Sequence, residues 1–292
     1  MQKKILWAML IYFIACFYYA GVIMMLHFVL YPSLNSVQQN IVPVMETFDH
    51  RIIIVCYIPA IVMVAASLVL LKWGSKIFPL KVLAAAALPG IISVTAVFVT
   101  RFQQQHLPVN KWLQVLPALL QVLIVVWLLN DFLKTTKPFA RWLFILVFAL
   151  TFYTTGTDYA EKFINYALWP AIGEKDWFVF RHLLTGPMFG AVYLLPAYLP
   201  LFLCIAMFWR RPVGIPKWMV TIFLVAQLWI LIVTAVYFVP KIQIPLHTTY
   251  SPTIIENLLR NEIPFRSCAV LLIFFVTGWM LLKVGEEILK KK

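Results

Sequence analysis

Long apolar runs, separated by short polar stretches, set the pattern of this chain. Eight of them lie at about 5–30, 51–71, 80–100, 113–133, 142–168, 182–208, 218–239 and 267–285. Each reaches the roughly 20 residues that a helix needs to cross a bilayer. In lipid every backbone amide must find its partner within the segment or a neighbour, so runs of this kind predict helices. The pattern gives an all-α integral membrane protein with eight transmembrane helices, joined on the outer side by loops at 32–50, 101–112, 170–181 and 241–266. The first run follows Lys3 and Lys4, but it is about twice as long as the 7–15-residue core of a signal peptide, so it reads as a retained helix. Prolines inside the runs, among them Pro59, Pro89, Pro117, Pro187, Pro196 and Pro200, predict bends.

The pattern also occurs twice. Phe17-Tyr18 and Gly21 return as Phe152-Tyr153 and Gly156, an offset of 135. Tyr31-Pro32 returns as Trp169-Pro170, and Pro59-Ala60 as Pro196-Ala197. Val94-Thr95-Ala96-Val97-Phe98 returns as Val233-Thr234-Ala235-Val236-Tyr237, an offset of 139. Matches of this kind, in the same order and at nearly constant offset, predict two tandem four-helix repeats, 1–138 and 139–292. With an even number of helices in each, both copies share one orientation, unlike inverted-repeat transporters. A site is expected where the halves meet.

Composition agrees: 63% of residues are hydrophobic, well above the 45–50% of a soluble domain. The net charge of +13 suggests nucleic acid until its distribution is considered. With eight spans, the N-terminus, the segments 72–81, 134–141 and 209–217 and the C-terminal tail carry 15 of the 24 Lys and Arg but only three acids, Asp131, Glu286 and Glu287. That asymmetry is the positive-inside pattern, so both termini are expected in the cytoplasm, in a cell (inner) membrane. The partner of the basic charge is then the lipid bilayer, not nucleic acid. Cys16, Cys56, Cys204 and Cys268 fall inside predicted helices without metal or redox spacing and read as buried thiols. Cys56 and Cys268, both toward outer helix ends, are the one pair placed to join.

Candidate chemistry gathers on the outer side. His27, His50, His106, His182 and His247 all fall there. Glu46, Asp49, His50 and Arg51 crowd the entrance to the second helix. Asp158, Glu161 and Lys162 share one helical face near the end of the fifth. Ionisable groups at that depth are costly unless paired or facing a wet cavity, and so mark functional positions. An internal Glu161–Lys162 or Asp158–Lys162 pair is the purely structural alternative. His27, His50, His182 and His247 are candidate ligands for iron or copper, although no metal-binding spacing occurs and the ligands would have to converge from separate helices. Met24, Met25 and Met45 beside His27 and His50 offer a softer, copper(I)-like set. Gln243 and Gln104 correspond between the repeats, and with Arg266 and Arg51 they are candidates to bind a substrate oxygen.

Gly156, Pro170, Pro245-Leu246-His247 and the step from Asn261 to Arg266 resemble the anthrone oxygenase-like family of small four-helix membrane proteins. The first half matches at Gly21, Tyr31-Pro32-Ser33-Leu34 and Arg51. The family usually has Asn where His247 stands. By size and helix number alone the chain also resembles the copper-resistance D-type membrane proteins.

Three functions fit these residues. The first is an oxidoreductase or oxygenase acting on a small hydrophobic or aromatic substrate from the outer leaflet. There Asp158, Glu161, His182 and His247 would be bases or ligands, and Arg266 and Gln243 would hold a substrate oxygen. The second is a copper-handling or small-solute transport protein. The third is a non-catalytic subunit docked to a membrane protein partner.

Overall fold

In the computed structural model, residues 2–38, 41–74, 78–102 and 112–290 are described, and their regular secondary structure is entirely helical. Nine helices follow one another: α1 (Lys3–Leu34), α2 (Ile41–Trp73), α3 (Leu80–Phe102), α4 (Trp112–Phe132), α5 (Pro138–Ile172), α6 (Glu174–Leu184), α7 (Pro187–Arg210), α8 (Lys217–Thr248) and α9 (Pro252–Lys290). Seven of them, all but α3 and α6, are long and apolar enough to cross a membrane. α3 occupies the third apolar run, with Val82–Ile92 as its apolar stretch. Leu123, Phe202 and Phe275 point outward and are each about two-thirds exposed, a surface suited to lipid.

Of the expected outer loops, 32–50, 170–181 and 241–266 are largely helical over their described residues, and 103–111 lie outside the described residues. α2 begins ten residues early because Val44, Phe48 and Ile52 bury one face at a four-residue spacing. α8 runs on to Thr248, and α9 begins at Pro252, with the Ser251 side chain capping the Ile254 amide at 3.4 Å. The segment 170–181 is the end of α5 and most of α6. Gly173, with φ of 79°, makes the left-handed turn between them, a conformation open to glycine without strain. The sixth run therefore starts at Pro187 rather than 182, because Gly186-Pro187 separates it from α6. His182 belongs to α6.

The centre of the molecule is the crossing of α1 and α5. A Cβ on Gly21 would overlap the backbone carbonyl of Tyr153, and a Cβ on Gly156 would overlap that of Tyr18. The contact is reciprocal: each glycine lies against the backbone three residues before the other. Between apolar helices in lipid the hydrophobic effect contributes little, so close backbone approach at small residues carries the association. Phe17, Phe148 and Phe152 pack beside the crossing, with ring centroids 6.1 Å apart for Phe17–Phe148 and 4.6 Å for Phe148–Phe152. Farther along α1, Gln121 of α4 donates to the Tyr12 hydroxyl and to the Ala86 carbonyl (3.0 Å), tying α4 to α1 and α3.

Among the described residues six helical stretches widen into π turns: 26–30, 53–57, 161–165, 190–194, 234–243 and 263–267. Pro32, Pro59, Pro196 and Pro245 each follow one of these, and the carbonyl four residues before each proline lies within it. Proline removes the N–H that this carbonyl would accept from and crowds it sterically, and the wider turn relieves the clash. At Val192, four before Pro196, the freed carbonyl accepts from the Tyr153 hydroxyl at 3.1 Å. All four cysteines are free thiols: Cys16, Cys56 and Cys204 are buried as expected, whereas Cys268 is exposed, and Cys56 and Cys268 are not joined.

Gly156→Ala should destabilise the protein by roughly the 1–3 kcal/mol of an overpacked core or more, because the clash is with backbone. Gly190→Ala, where a Cβ meets nothing within 4 Å, should be neutral or slightly stabilising. Thermal unfolding of both variants in detergent, read by the monomer peak in size exclusion, checks the contrast.

Candidate active site

The second half encloses a cavity of about 410 Å³ between α5, α6, α7, α8 and α9. Asp158, Glu161, Arg181, Gln243, His247 and Arg266 line it, together with Tyr166, Tyr193 and threonines of α5. The π turns contribute Glu161 from 161–165, Tyr193 from 190–194, Gln243 from 234–243 and Arg266 from 263–267, and Lys162 follows Glu161 in the first of them. A turn with one extra residue re-aims the side chains around it, which is why such turns gather at functional sites.

Six buried charges divide into two groups. The first is closed. Lys162 Nζ lies 2.6 Å from Asp158 Oδ2 and 2.9 Å from Glu262 Oε1. Arg266 completes the ring, 3.7 Å from Asp158 Oδ1 and 3.4 Å from Glu262 Oε2. The Tyr193 hydroxyl donates to Asp158 Oδ1 at 2.9 Å and accepts from Arg266 at 3.2 Å. Two acids and two bases cancel, which is the condition for burying four charges in a medium of low dielectric.

The second group is open. Glu161 and Arg181, 3% and 2% exposed, both line the cavity, and neither has an opposite charge within 4 Å among the described residues. Each is held by neutral groups instead. Trp169 Nε1, which can only donate, bonds Asn165 Oδ1 at 3.1 Å, and this orients Asn165 so that its amide donates to Glu161 Oε2 at 2.8 Å. Arg181 donates to Gln243 Oε1 at 2.7 Å and stacks over the Trp169 ring, 4.7 Å from its centroid, with Trp177 at 5.7 Å. Trp177 is itself fixed by a hydrogen bond to the Leu246 carbonyl at 2.9 Å. Arg181 Nε is buried without a partner. Burial pulls the Arg181 pKa below its ordinary value while Glu161 and Tyr166 oppose the shift, and the guanidinium stays charged.

Of the residues singled out from the sequence, Asp158, Glu161, His247, Gln243 and Arg266 meet at this cavity. Asp158 is tied up in the ion ring, and the Asp158–Lys162 pair is present. Gln243 holds Arg181. His182 lies exposed on α6 and is not among the residues lining the cavity. Arg51 and His50 are exposed on α2, while His27 bonds Gln114 Oε1 at 2.8 Å. Gln104 and His106 lie outside the described residues. Among the described residues no three His, Cys, Asp or Glu side chains are grouped so as to hold a metal ion, so the histidines named as ligands are not brought together. Sequence reasoning missed Arg181 as a lining group, and also Glu262 and Tyr193. Arg181 and Glu262 carried a signal, being ionisable groups at helix ends, but their partners come from other helices.

No family model, curated protein or solved structure matches the chain.

Lys162→Met leaves an acid of the ring without its closest partner and should cost about 3–5 kcal/mol. Lys162→Met with Glu262→Met removes opposite charges together and should cost clearly less than the two single changes summed. A double-mutant cycle by chemical denaturation measures the coupling.

Proposed function

We propose that this protein is a membrane enzyme that takes a proton from a small hydrophobic or aromatic substrate at a position next to a carbonyl. The observation that carries this is the buried pair of Glu161 and Arg181, facing one cavity with no ion pair between them. A buried acid and base normally neutralise each other. Held apart by Asn165 and Gln243, they suit a molecule that donates to one and accepts from the other. Glu161 is the base: it takes a proton from the carbon beside the carbonyl, and the electron pair of that bond moves onto the carbonyl oxygen. Arg181 donates hydrogen bonds to the oxygen as it becomes an enolate, in a site where low polarity strengthens them. The closed ring of Asp158, Lys162, Glu262 and Arg266 is the fixed wall behind this pair. His247, exposed at the cavity, is the group through which a proton reaches water. Enolisation of this kind is the step from which oxidation of such a substrate proceeds, which links the site to the oxygenase resemblance.

The same reading includes the architecture expected from sequence: eight spans counting α3, two tandem four-helix repeats, and both termini on the cytoplasmic side of a cell membrane. The reciprocal Gly21–Gly156 contact supports the repeat, as do π turns at offsets of 135 (26–30 and 161–165) and 137 (53–57 and 190–194).

2-Hydroxyacetophenone, an apolar molecule with a hydroxyl and an acidic C–H beside a carbonyl, tests the site. In D2O, protein in nanodiscs should speed loss of its α-hydrogen NMR signal over empty nanodiscs. Glu161→Gln should remove the acceleration while leaving binding within several-fold. Arg181→Gln should weaken both by about tenfold or more, the worth of a charged hydrogen bond. Exchange at the wild-type rate in Glu161→Gln would refute the assignment of the base.

A further inference from the structure

A second cavity, of about 780 Å³ and almost wholly apolar, lies between α1, α2, α5 and α9. It runs along α1 from Trp7 to Tyr18 and along α9 from Leu271 to Leu282. Eleven helical steps between the first and last of these residues make each wall about 16 Å long, the reach of an extended chain of roughly a dozen methylenes. Gly278 forms part of its wall, where a Cβ would only touch Ile14 and Leu10 at 3.7–3.8 Å, so the groove is widened by the missing side chain. Thr155 of α5 lines both this groove and the polar cavity. On α9 the two linings also adjoin: Val270 and Ile273 face the polar cavity, and Leu271 and Phe274 face the groove.

We infer that the groove holds the hydrocarbon chain of the molecule whose head lies between Glu161 and Arg181, so that the ligand is a single-chain neutral lipid with a hydroxyl and a carbonyl in its head. This rests on the reading of the polar cavity given above. Three observations set the class. The head groups available are one acid and one base, which a neutral head with a donor and an acceptor satisfies without adding charge. The groove is a slot, long and apolar, which a compact aromatic molecule would leave mostly empty. Thr155, six residues (nearly two helical turns) before Glu161 on the same helix, is a wall of both cavities, so the path for a chain leaving the head is past Thr155, between α5 and α9, into the groove. The opening toward lipid then serves as the entry, and the ligand never has to cross water.

A monoacylglycerol with a 14-carbon chain and a diazirine at the chain end is the probe. Wild-type protein in nanodiscs is irradiated with it, and labelled peptides are mapped with and without excess unlabelled monoacylglycerol. The expected result is displaceable labelling of 7–18 and 271–282, above that of Leu123 and Phe202 on the lipid-facing surface. Gly278→Leu, which fills the slot, should lower groove labelling at least several-fold in protein that still elutes as a folded species. Arg181→Gln should lower it by about tenfold, because the head is no longer held. Groove labelling unchanged in Arg181→Gln would mean a bilayer lipid sits there independently of the polar cavity, and would overturn the inference. Displaceable labelling confined to the polar cavity would overturn it too. Absence of displaceable labelling, with 2-hydroxyacetophenone still bound through Arg181, would overturn the chain assignment and leave the polar site standing. Loss of both would refute the two together.

Discussion

Everything in this fold is referred to the crossing of α1 and α5, where two backbones touch because neither Gly21 nor Gly156 has a side chain. A contact between main chains admits almost no adjustment, so it fixes the two helices in register as well as in distance. From that register the rest follows. One face of α5 turns Tyr153 toward the Val192 carbonyl of α7, and the residues two and five positions later line the polar cavity. The same helix, a turn farther on, opens into the stretch 161–165 that carries Glu161, Lys162 and Asn165.

On the duplication proposed above, the two halves share a scaffold and differ in what they hang on it. At an offset of 135, Asp158, Glu161, Lys162 and Asn165 correspond to Ile23, Leu26, His27 and Leu30. Three of the four positions are aliphatic in the first half and polar in the second, although a widened turn spans the same place in both. His27, in the position of Lys162, is hydrogen-bonded to Gln114 across to α4. The first half thus has the widened turn, with Ile23 and Leu26 at the positions of the carboxylates Asp158 and Glu161. The balance is thermodynamic: four buried charges are tolerable only as a complete ring, so a half without the full set is better with none of them.

What could be read from the sequence was set by how local the signal is. Helix positions followed from apolar runs because satisfying the backbone in lipid is a requirement of each segment alone. The outer segments were misread because α6 and the lead-in to α2 are short, with Val44, Phe48 and Trp177 buried against elements distant in sequence. Asp158, Glu161, Gln243 and Arg266 stood out as polar groups where polar groups are expensive. Which of them are neutralised was not legible, since Lys162 reaches Asp158 within its own helix but Glu262 a hundred residues away. The histidines misled for the opposite reason: a shared membrane side looks like a cluster in one dimension and need not be one in three.

The widened turns have a consequence for how such a site is acquired. A π turn is an α-helix with one residue inserted, and the insertion rotates everything beyond it by about 100° about the axis. Deleting that one residue would restore a regular helix and swing the following side chains off the cavity, with no substitution at any of them. On the duplication proposed above, turns at matching offsets in both halves were already present in the single unit, before any charge was placed on them. The polar chemistry of the second half is then a late occupant of an old irregularity: chain length, adjusted by single residues, first made the vacancy, and side-chain identity filled it afterwards.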